Sequence, residues 1–452
     1  MRRVNALPPV TRRAVARSGA AALGAAVVAG GLARWLLPSR PAAPPPAWAA
    51  APGLRNARLA AGGAARIEPS VAADPADPAH LIAAFRAFRG DRIGIATAVS
   101  VDGGRNWQDN GLLPGLVPDL DGNAVVAFDQ AGHAFVAGIE ATSGPSRHGT
   151  ARVWRTADGG RTYSAPVTAL APRRGLADHP GLAADRGDPG LLYLAAVLAG
   201  GPRSGLVFCR SADIGASFEP ARRIGAASGA AAVAPVLAAG PPGSVCVLYL
   251  TPGRGGLVLE ALASADRGAS FGPPARLLRA GQLAPGLAPV SAKSGPAAAA
   301  APGSGYLYAA LTRYDDAAVR SEILVACSPD GGRSWDPPVT AAASTGRVYL
   351  QPQLAVSAAG HVGLSAYALD AASRQADVLL FQSPPGRPRF GTPRRVTTRS
   401  FDPAGAGGTG RSPWLGNYQG LAAAGSTFCA AWTGADAGIA QVFTAVAPVA
   451  AG

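Results

Sequence analysis

An eight-residue phrase occurs five times in this chain, and this repetition constrains the fold more than any other feature of the sequence. The copies read SVDGGRNW, TADGGRTY, SADIGASF, SADRGASF and SPDGGRSW, and they begin at residues 100, 156, 211, 264 and 328. A sixth copy without the Asp, SPPGRPRF, begins at residue 383. The similar intervals between the start positions indicate a repeated supersecondary unit. Such units occur in series because one of them cannot bury its apolar face alone.

Each interval contains the same succession of short apolar segments. A Pro-led segment comes first, as in EPSVAAD and QPQLAVS, a second apolar run follows, and a third run leads directly into the repeated phrase. The runs are short and are bounded by Gly, Pro and Asp, which is typical of β-strands. A short fourth run follows the phrase, and four antiparallel strands per repeat predict an all-β chain folded as a β-propeller with four-stranded blades.

The two ends of the chain are predicted to share one blade. Residues 417–449 contain three more strand-like runs, and the segment LRNARLA at 54–60 can supply the fourth strand. This closure predicts seven blades, with six as the alternative if the tail only packs on the rim. The predicted domains are a leader over 1–51 and a propeller over 52–452.

The leader has the pattern of an export signal. Arg12 and Arg13 precede a weakly apolar stretch at 18–33, and the sequence AWA at 47–49 places small residues at a cleavage site. The paired arginines resemble a twin-arginine signal. The alternative is an uncleaved membrane anchor that ends near Leu37. Both interpretations predict a protein of the cell envelope or the exterior.

Charge and cysteine content exclude several classes of function. The net charge is +14, and the seven Arg of residues 1–51, which contain no acid, leave only +7 for the remainder. These arginines are scattered and no basic stripe alternates with aromatic residues, so nucleic acid is not a predicted partner. The sequence has no dinucleotide-binding or phosphate-binding loop, and no cofactor is predicted.

The four cysteines occur singly in apolar runs, so they are predicted to be buried and a zinc site is not predicted. One disulfide stays open as an alternative, between Cys209 and Cys246.

The repeated phrase resembles the Asp-box, or BNR repeat, of bacterial sialidases and other propellers. Two further segments carry the resemblance, EPSVAADPADPAHLIAAF at 68–85 and WLGNYQGLAAAG at 414–425, so that it extends over most of residues 54–449. It implies an exo-α-sialidase-type glycoside hydrolase or a close non-catalytic relative. It also implies that the phrase serves the fold through a tight turn, in which Gly takes a positive φ and an Asp accepts backbone N–H groups. These structural Asp residues are Asp102, Asp158, Asp213, Asp266 and Asp330.

Residues just before the first strand of each blade ring the mouth of a propeller channel, where ligands usually bind. By this criterion the candidate catalytic residues are Glu68, Asp178, His179 and Tyr418. The candidate substrate-binding residues are Arg66, Asp119, Asp121, Gln351, Arg347, Arg411, Trp414 and Asn417. The fourth and fifth repeats offer only APVLAAG and APVSAKS, so the ring is polar on one side.

Several of these candidates have a structural alternative. Glu68 and Gln351 precede Pro and can serve as turn caps. Asp119, Asp121 and Asn123 resemble part of a calcium loop, although a plain Asp-Gly turn accounts for them, and no metal site is predicted. Trp414 and Tyr418 can stack on a sugar or pack between the last and first blades.

Three functions are compatible with this pattern. The first is a glycoside hydrolase acting on terminal sugars, in which Tyr349 or Tyr418 is the nucleophile and Glu68 its base. The second is a non-catalytic propeller that binds carbohydrate or protein, since no Arg occupies the mouth position in repeats two to five. The third is a lyase with His179 and Tyr418 as base and acid.

Overall fold

The structure is a computed structural model that describes residues 54–89, 92–115, 122–142, 148–200, 205–225, 233–254, 256–281, 291–292, 294–315, 320–410 and 413–450. Within these ranges regular structure is almost entirely β-strand, with one short 3-10 helix at Pro403–Gly405. None of the described residues forms a helix with the length and apolarity needed to traverse a bilayer. The predicted leader at 1–51 lies outside the described residues.

The strands, in chain order, are β1 (Ala57–Arg58), β2 (Arg66–Ala73), β3 (Leu81–Arg89), β4 (Arg92–Ser100), β5 (Gln108–Leu112), β6 (Gly122–Phe128), β7 (Ala134–Ala141), β8 (His148–Thr156), β9 (Val167–Leu170), β10 (Gly175–Ala184), β11 (Leu192–Ala199), β12 (Gly205–Ser211), β13 (Arg222–Arg223), β14 (Val233–Ala239), β15 (Val245–Gly253), β16 (Gly256–Ser264), β17 (Ala275–Gly281), β18 (Ser291–Ala292), β19 (Ala297–Ala300), β20 (Leu307–Asp315), β21 (Arg320–Ser328), β22 (Val339–Ser344), β23 (Arg347–Val356), β24 (Val362–Asp370), β25 (Ala376–Ser383), β26 (Arg394–Arg395), β27 (Trp414–Gly416), β28 (Gly420–Ala424), β29 (Thr427–Asp436) and β30 (Ile439–Pro448).

Strand pairing groups most of these strands into antiparallel units of four. We number them unit 1 (β2–β5), unit 2 (β6–β9), unit 3 (β10–β13), unit 4 (β14–β17), unit 5 (β19–β22), unit 6 (β23–β26) and unit 7 (β28–β30 with β1). Short parallel bridges join β8 to β10 and β17 to β20, and β18 pairs with β27 outside the units. The prediction of an all-β chain with four-stranded antiparallel sheets is confirmed.

The first strand of each unit lies against the first strand of the next. These contacts follow chain order from β2 to β28, and β28 in turn contacts β2. The inner strands therefore form a closed cycle, which is how the blades of a propeller are arranged. We use "mouth" for the end of this cycle at which the inner strands begin.

The segment that follows the leader completes unit 7. Ala57 and Arg58 of β1 pair with Thr444 and Phe443 of β30, and the Leu59 N–H donates to the Val442 carbonyl at 3.0 Å. The predicted donation of an N-terminal strand to the last sheet is confirmed. It covers an edge of β30 that would otherwise expose unpaired backbone groups.

The hydrophobic core lies mainly between units. The described residues form seven buried clusters, and each draws most of its side chains from two consecutive units. The inner strands are rich in Ala and Gly because sheets that converge on a common axis leave less volume for each side chain there. A Cβ on Gly181 would lie 2.5 Å from the Leu237 side chain of the next unit.

The repeated phrase forms the predicted turn between the third and fourth strands in all five copies. The Ser or Thr that ends the third strand accepts the N–H of the Gly four residues later at 2.8–2.9 Å. The Asp carboxylate accepts the backbone N–H four residues after it at 2.8–2.9 Å. Hydrogen bonds from the Ser or Thr side chain at that position hold the pKa of Asp158, Asp213 and Asp266 at about 2.

The Gly that lies four residues after the Ser or Thr of each turn also packs against the preceding unit. A Cβ on Gly104 would lie 2.9 Å from the Cys429 sulfur of unit 7, and one on Gly268 would lie 2.6 Å from the Phe208 ring of unit 3. Both glycines also have positive φ. The phrase is therefore repeated because each copy closes one hairpin and packs it against a neighbour.

No cysteine among the described residues forms a disulfide. Cys209 and Cys246 are both buried and free, in different core clusters. The alternative of a Cys209–Cys246 bridge is wrong, because each side chain serves as a small apolar group. Burial raises the pKa of each thiol to about 12.

Candidate functional site

A backbone irregularity recurs near the start of the inner strands. Glu68, Asn123, His179, Ala234 and Gln351 all have φ between 49° and 58°. The pairing of the first strand with the second shifts register at each of these points. A β-bulge therefore turns one residue in each of these five units out of the strand alternation at the mouth. Four of the five are residues that the sequence placed there.

Glu68 lies at the centre of the described polar residues of the mouth, and none of its surface is exposed. Its Oε1 accepts the Asn417 backbone N–H at 3.0 Å, and its backbone N–H donates to Thr433 Oγ1 at 3.2 Å. Its Oε2 has no hydrogen-bond partner among the described residues. Burial raises the pKa of Glu68, while the nearby charges of Arg86 and His179 oppose that shift.

Arg86, near the end of β3, is the cation closest to this carboxylate among the described ion pairs. Its Nη1 lies 3.6 Å from Glu68 Oε2, and its guanidinium stands over the Trp414 ring at 5.7 Å from the centroid. Gly122 leaves room for it, because a Cβ there would lie 2.7 Å from the guanidinium carbon. Trp414 is only 7% exposed and belongs to a core cluster, so the structure places it in packing.

Asp178 and His179 form a second ionisable group at the mouth. As adjacent strand residues they would point to opposite faces, but the bulge at His179 brings its Nδ1 to 3.0 Å from Asp178 Oδ1. The same oxygen accepts from the His179 backbone N–H and from Asn123 Nδ2, each at 3.0 Å. Both side chains stay partly exposed, and both influence the pKa of Glu68.

Tyr418 lies beside Glu68 without a hydrogen bond between the two side chains. Its hydroxyl donates to the Ala124 carbonyl at 3.2 Å. Burial raises the pKa of Tyr418 well above its usual value, and the Glu68 charge adds to the rise. Tyr418 therefore keeps its proton at neutral pH. Tyr349 packs against Phe381 in a core cluster.

Two glutamines continue the polar residues around the mouth. Gln351 Nε2 donates to the Gly416 carbonyl at 2.8 Å, and Gln419 Nε2 donates to the Gln351 carbonyl at 2.7 Å. Gly416 in turn touches Glu68, since a Cβ there would lie 2.5 Å from Glu68 Cγ. Both glutamines are buried, and each Oε1 has no hydrogen-bond partner among the described residues. We call Glu68, Arg86, Asn123, Asp178, His179, Gln351, Asn417, Tyr418 and Gln419 the mouth cluster.

The structure pairs two predicted arginines with acidic residues that do not belong to this cluster. Arg66 is buried beside β5 and β30, where it binds Asp109 at 3.5 Å and the Gln441 side chain at 3.3 Å. Arg347 lies at the start of β23 and pairs with Asp370 at 3.9 Å. Arg66 points to the outer strands because it precedes the bulge. The predicted residues Asp119, Asp121 and Arg411 lie outside the described residues.

Sequence reasoning missed Arg86 and Gln419. Arg86 interrupts the apolar run LIAAFRAF on a second strand, whereas the predicted positions lie at the heads of first strands. Gln419 precedes Gly420 as Glu68 precedes Pro69 at the head of an inner strand, and alignment of the seven units reveals this match.

A cleft of about 560 Å³ lies away from the mouth, between the turns of units 1 and 2. Its walls include Asp102, Asp158, His80 and Trp107. Both carboxylates are engaged by their own turns, so they offer no free acid or base. Within the described ranges, no three His, Cys, Asp or Glu side chains are grouped to hold a metal ion.

No protein-family model matches the chain, and no curated protein matches it in sequence. Among solved structures, a protein of unknown function from Dyadobacter fermentans is similar over 88% of this chain and 100% of its own, with 12% identity and a TM-score of 0.50. The alpha-L-arabinofuranosidase of Fusarium graminearum with arabinobiose is similar over 85% and 93%, with 12% identity and a TM-score of 0.49. A Hadza microbial sialidase is similar over 67% of this chain and 63% of its own, with 17% identity and a TM-score of 0.45. At these identities the likeness concerns the fold alone.

Proposed function

We propose that this chain is a sialidase-like glycoside hydrolase with seven blades that acts on terminal sugars at the mouth cluster. One observation carries the proposal. Two carboxyl groups influence each other in contrasting environments, Glu68 fully buried and Asp178 partly exposed and hydrogen-bonded. Such a contrast separates an acid from a base among like groups, and glycosidases use a pair of carboxyl groups in this way.

Glu68 is suited to the role of general acid. Its raised pKa favours the protonated form, and its Oε2 is not engaged by a protein hydrogen bond among the described residues. A proton on this oxygen can pass to the glycosidic oxygen as the bond to the anomeric carbon breaks. Asn417 keeps the other oxygen in place through its backbone N–H.

Asp178 is suited to the second role, as base toward water or as nucleophile toward the anomeric carbon. Asn123 and His179 orient it through the contacts at 3.0 Å described above. Tyr418 is a poorer nucleophile, because its hydroxyl is bound to a backbone carbonyl and its pKa is raised. The proposed roles therefore differ from those of a tyrosine-dependent sialidase.

The test is hydrolysis of a panel of 4-methylumbelliferyl glycosides, including a sialoside, and of the corresponding unactivated disaccharides by the full-length chain. We expect Glu68→Gln to lower kcat on unactivated disaccharides by about 10²–10⁴-fold. The loss on aryl glycosides is expected to be smaller, because their leaving group needs less protonation. Asp178→Asn should lower kcat on the disaccharides and on the aryl glycosides alike.

The matched control is Glu140→Gln, which removes a carboxylate that pairs with Arg152 in unit 2, outside the mouth cluster. Equal activity of Glu68→Gln and wild type would refute the assignment. Absence of release from every glycoside would refute the enzyme proposal.

The second candidate is a non-catalytic propeller that binds carbohydrate. The ion pair between Glu68 and Arg86 favours this candidate, because a cation 3.6 Å away stabilises the ionised form of the carboxyl group. A general acid must instead carry a proton. Binding of sugars without turnover, in folded protein, would select this candidate.

We also propose export of the chain, on the basis of Arg12 and Arg13 in the leader. Replacement of both by Lys should retain the protein in the cytoplasm, as cell fractionation would detect. Export of that variant at the wild-type level would refute a twin-arginine route.

A further inference from the structure

We propose that the mouth cluster selects a neutral, hydroxyl-rich sugar, and that Gln351 and Gln419 receive its hydroxyl groups. This inference rests on the proposed function only in placing a sugar at the mouth. It departs from the specificity that the sialidase resemblance implies, because a sialic acid residue carries a carboxylate.

The orientation of the two amides is fixed by their partners. Each Nε2 donates to a backbone carbonyl, so each Oε1 is the atom that remains without a hydrogen-bond partner in the described residues. The two side chains are 1% and 2% exposed. A buried acceptor without a donor destabilises the site, so a ligand that supplies donors is favoured there. Sugar hydroxyl groups supply them, whereas a carboxylate has no hydrogen to give.

These acceptors lie beside the proposed acid. Gln419 binds Gln351, Gln351 binds Gly416, and Gly416 touches Glu68. The continuous path places both amides within the same site as the two carboxyl groups. A sugar ring whose glycosidic oxygen reaches Glu68 can thus present its hydroxyl groups to the glutamines.

Among the described residues, the two arginines in or beside the mouth cluster are already paired. Arg86 lies against Glu68 and Trp414, and Arg347 pairs with Asp370. A substrate carboxylate would have to compete with Glu68 for Arg86, and it would approach Asp178 as well. In the part of the chain that the structure describes, no set of three arginines converges on the mouth cluster, although bidentate Arg contacts are what carboxylate recognition requires.

The experiment is a ligand-observed NMR titration of the full-length chain with methyl glycosides. One set contains neutral pentoses and hexoses, and the other contains methyl sialoside and methyl glucuronide. We expect at least one neutral glycoside to bind and the acidic set to bind at least tenfold more weakly. Tighter binding of an acidic glycoside, or no binding of any neutral one, would overturn the inference.

Variants then identify the residues. Gln419→Met and Gln351→Met should weaken binding of the preferred glycoside by about tenfold. Gln441→Met is the matched control, because Gln441 is equally buried but binds Arg66 and the Ala64 carbonyl elsewhere. The control should bind as wild type does, and an equal loss in all three variants would contradict the assignment.

A readout that fold damage cannot imitate comes from deoxy analogues of the same glycoside. Wild type should lose about tenfold on the analogue that lacks the recognised hydroxyl, and the Met variant should lose nothing further on that analogue. Additive losses would refute a direct contact. Loss of neutral-sugar binding in EDTA would also refute it, because a cation would then occupy the acceptors.

The failure of this inference is distinguishable from that of the proposed function. Hydrolysis of a sialoside with Glu68-dependent turnover would keep the enzyme and overturn the neutral specificity. Binding of neutral sugars without hydrolysis would keep the neutral specificity and overturn the enzyme proposal.

Discussion

Replacing Asp158 by Ala tests whether the repeated phrase serves the fold. The Asp158 carboxylate accepts three hydrogen bonds, from the Thr156 hydroxyl at 2.8 Å, the Thr162 backbone N–H at 2.9 Å and the Thr162 hydroxyl at 2.6 Å. A hydrogen bond contributes about 1 kcal/mol net, so the free energy of unfolding should fall by roughly 2–3 kcal/mol. The assay is the midpoint of urea unfolding at neutral pH.

The charge of Asp158 predicts a pH dependence with a definite sign. Because the pKa in the folded protein is lowered to about 2, the ionised carboxylate stabilises the fold above the usual value of 3.8. This contribution is lost as the pH falls through about 2. Asp158→Asn keeps an acceptor oxygen but has no charge, so its deficit relative to wild type should shrink as the pH approaches 2.

The matched control is Asp188→Ala. Asp188 forms an exposed ion pair with Arg267 at 3.4 Å, and such pairs contribute about 0–1 kcal/mol. Unfolding of Asp158→Ala at the wild-type urea concentration would refute the structural role. A loss of sugar binding at unchanged stability would assign the carboxylate to function instead.

Two further predictions concern the mouth cluster and the closure of the cycle. Glu68 has a folded-state pKa above its usual value of 4.5, so its contribution to the free energy of unfolding should be most favourable below that value and decline as the pH rises through the folded pKa. Urea midpoints across pH 4 to 9 should lack that decline in Glu68→Gln, and a parallel profile would contradict the burial argument. Leu59→Ala should lower the free energy of unfolding by roughly 2–5 kcal/mol, because Leu59 is 1% exposed between units 7 and 1. The more exposed Leu112→Ala should cost less than about 0.5 kcal/mol, and equal effects of the two would refute closure by the N-terminal strand.

The site was predictable where it follows from chain position. Glu68, His179 and Gln351 were identified because each heads a first strand, and position along a repeat is visible in the sequence. Their partners come from other strands. Arg86 reaches Glu68 from the second strand of the same unit, and Asn417 reaches it across 349 residues of sequence. The contact with Asn417 is encoded by no local pattern, because it forms only when unit 7 meets unit 1.

Backbone geometry also escaped prediction. Side chains of adjacent residues in a regular strand point to opposite faces, which would separate Asp178 from His179. The sequence gives no sign of the bulge that brings these two side chains together. Arg66 is the opposite case. Its position in the phrase RIEP predicted a side chain at the mouth, but the strand register directs that side chain to the outer strands.

The sequence by itself determined the repeated four-stranded unit, the turn that closes each hairpin and the strand that the N-terminal segment gives to unit 7. The unit and its turn depend on contacts within one repeat, and the donated strand depends on an unpaired sheet edge that needs a partner. Both kinds of feature are visible in the periodic pattern of the sequence. Only the tertiary structure decided which side chains meet at the mouth, which carboxyl group is buried and which arginines are already paired. Those properties depend on distances between units, and desolvation acts on a side chain only after its neighbours have enclosed it.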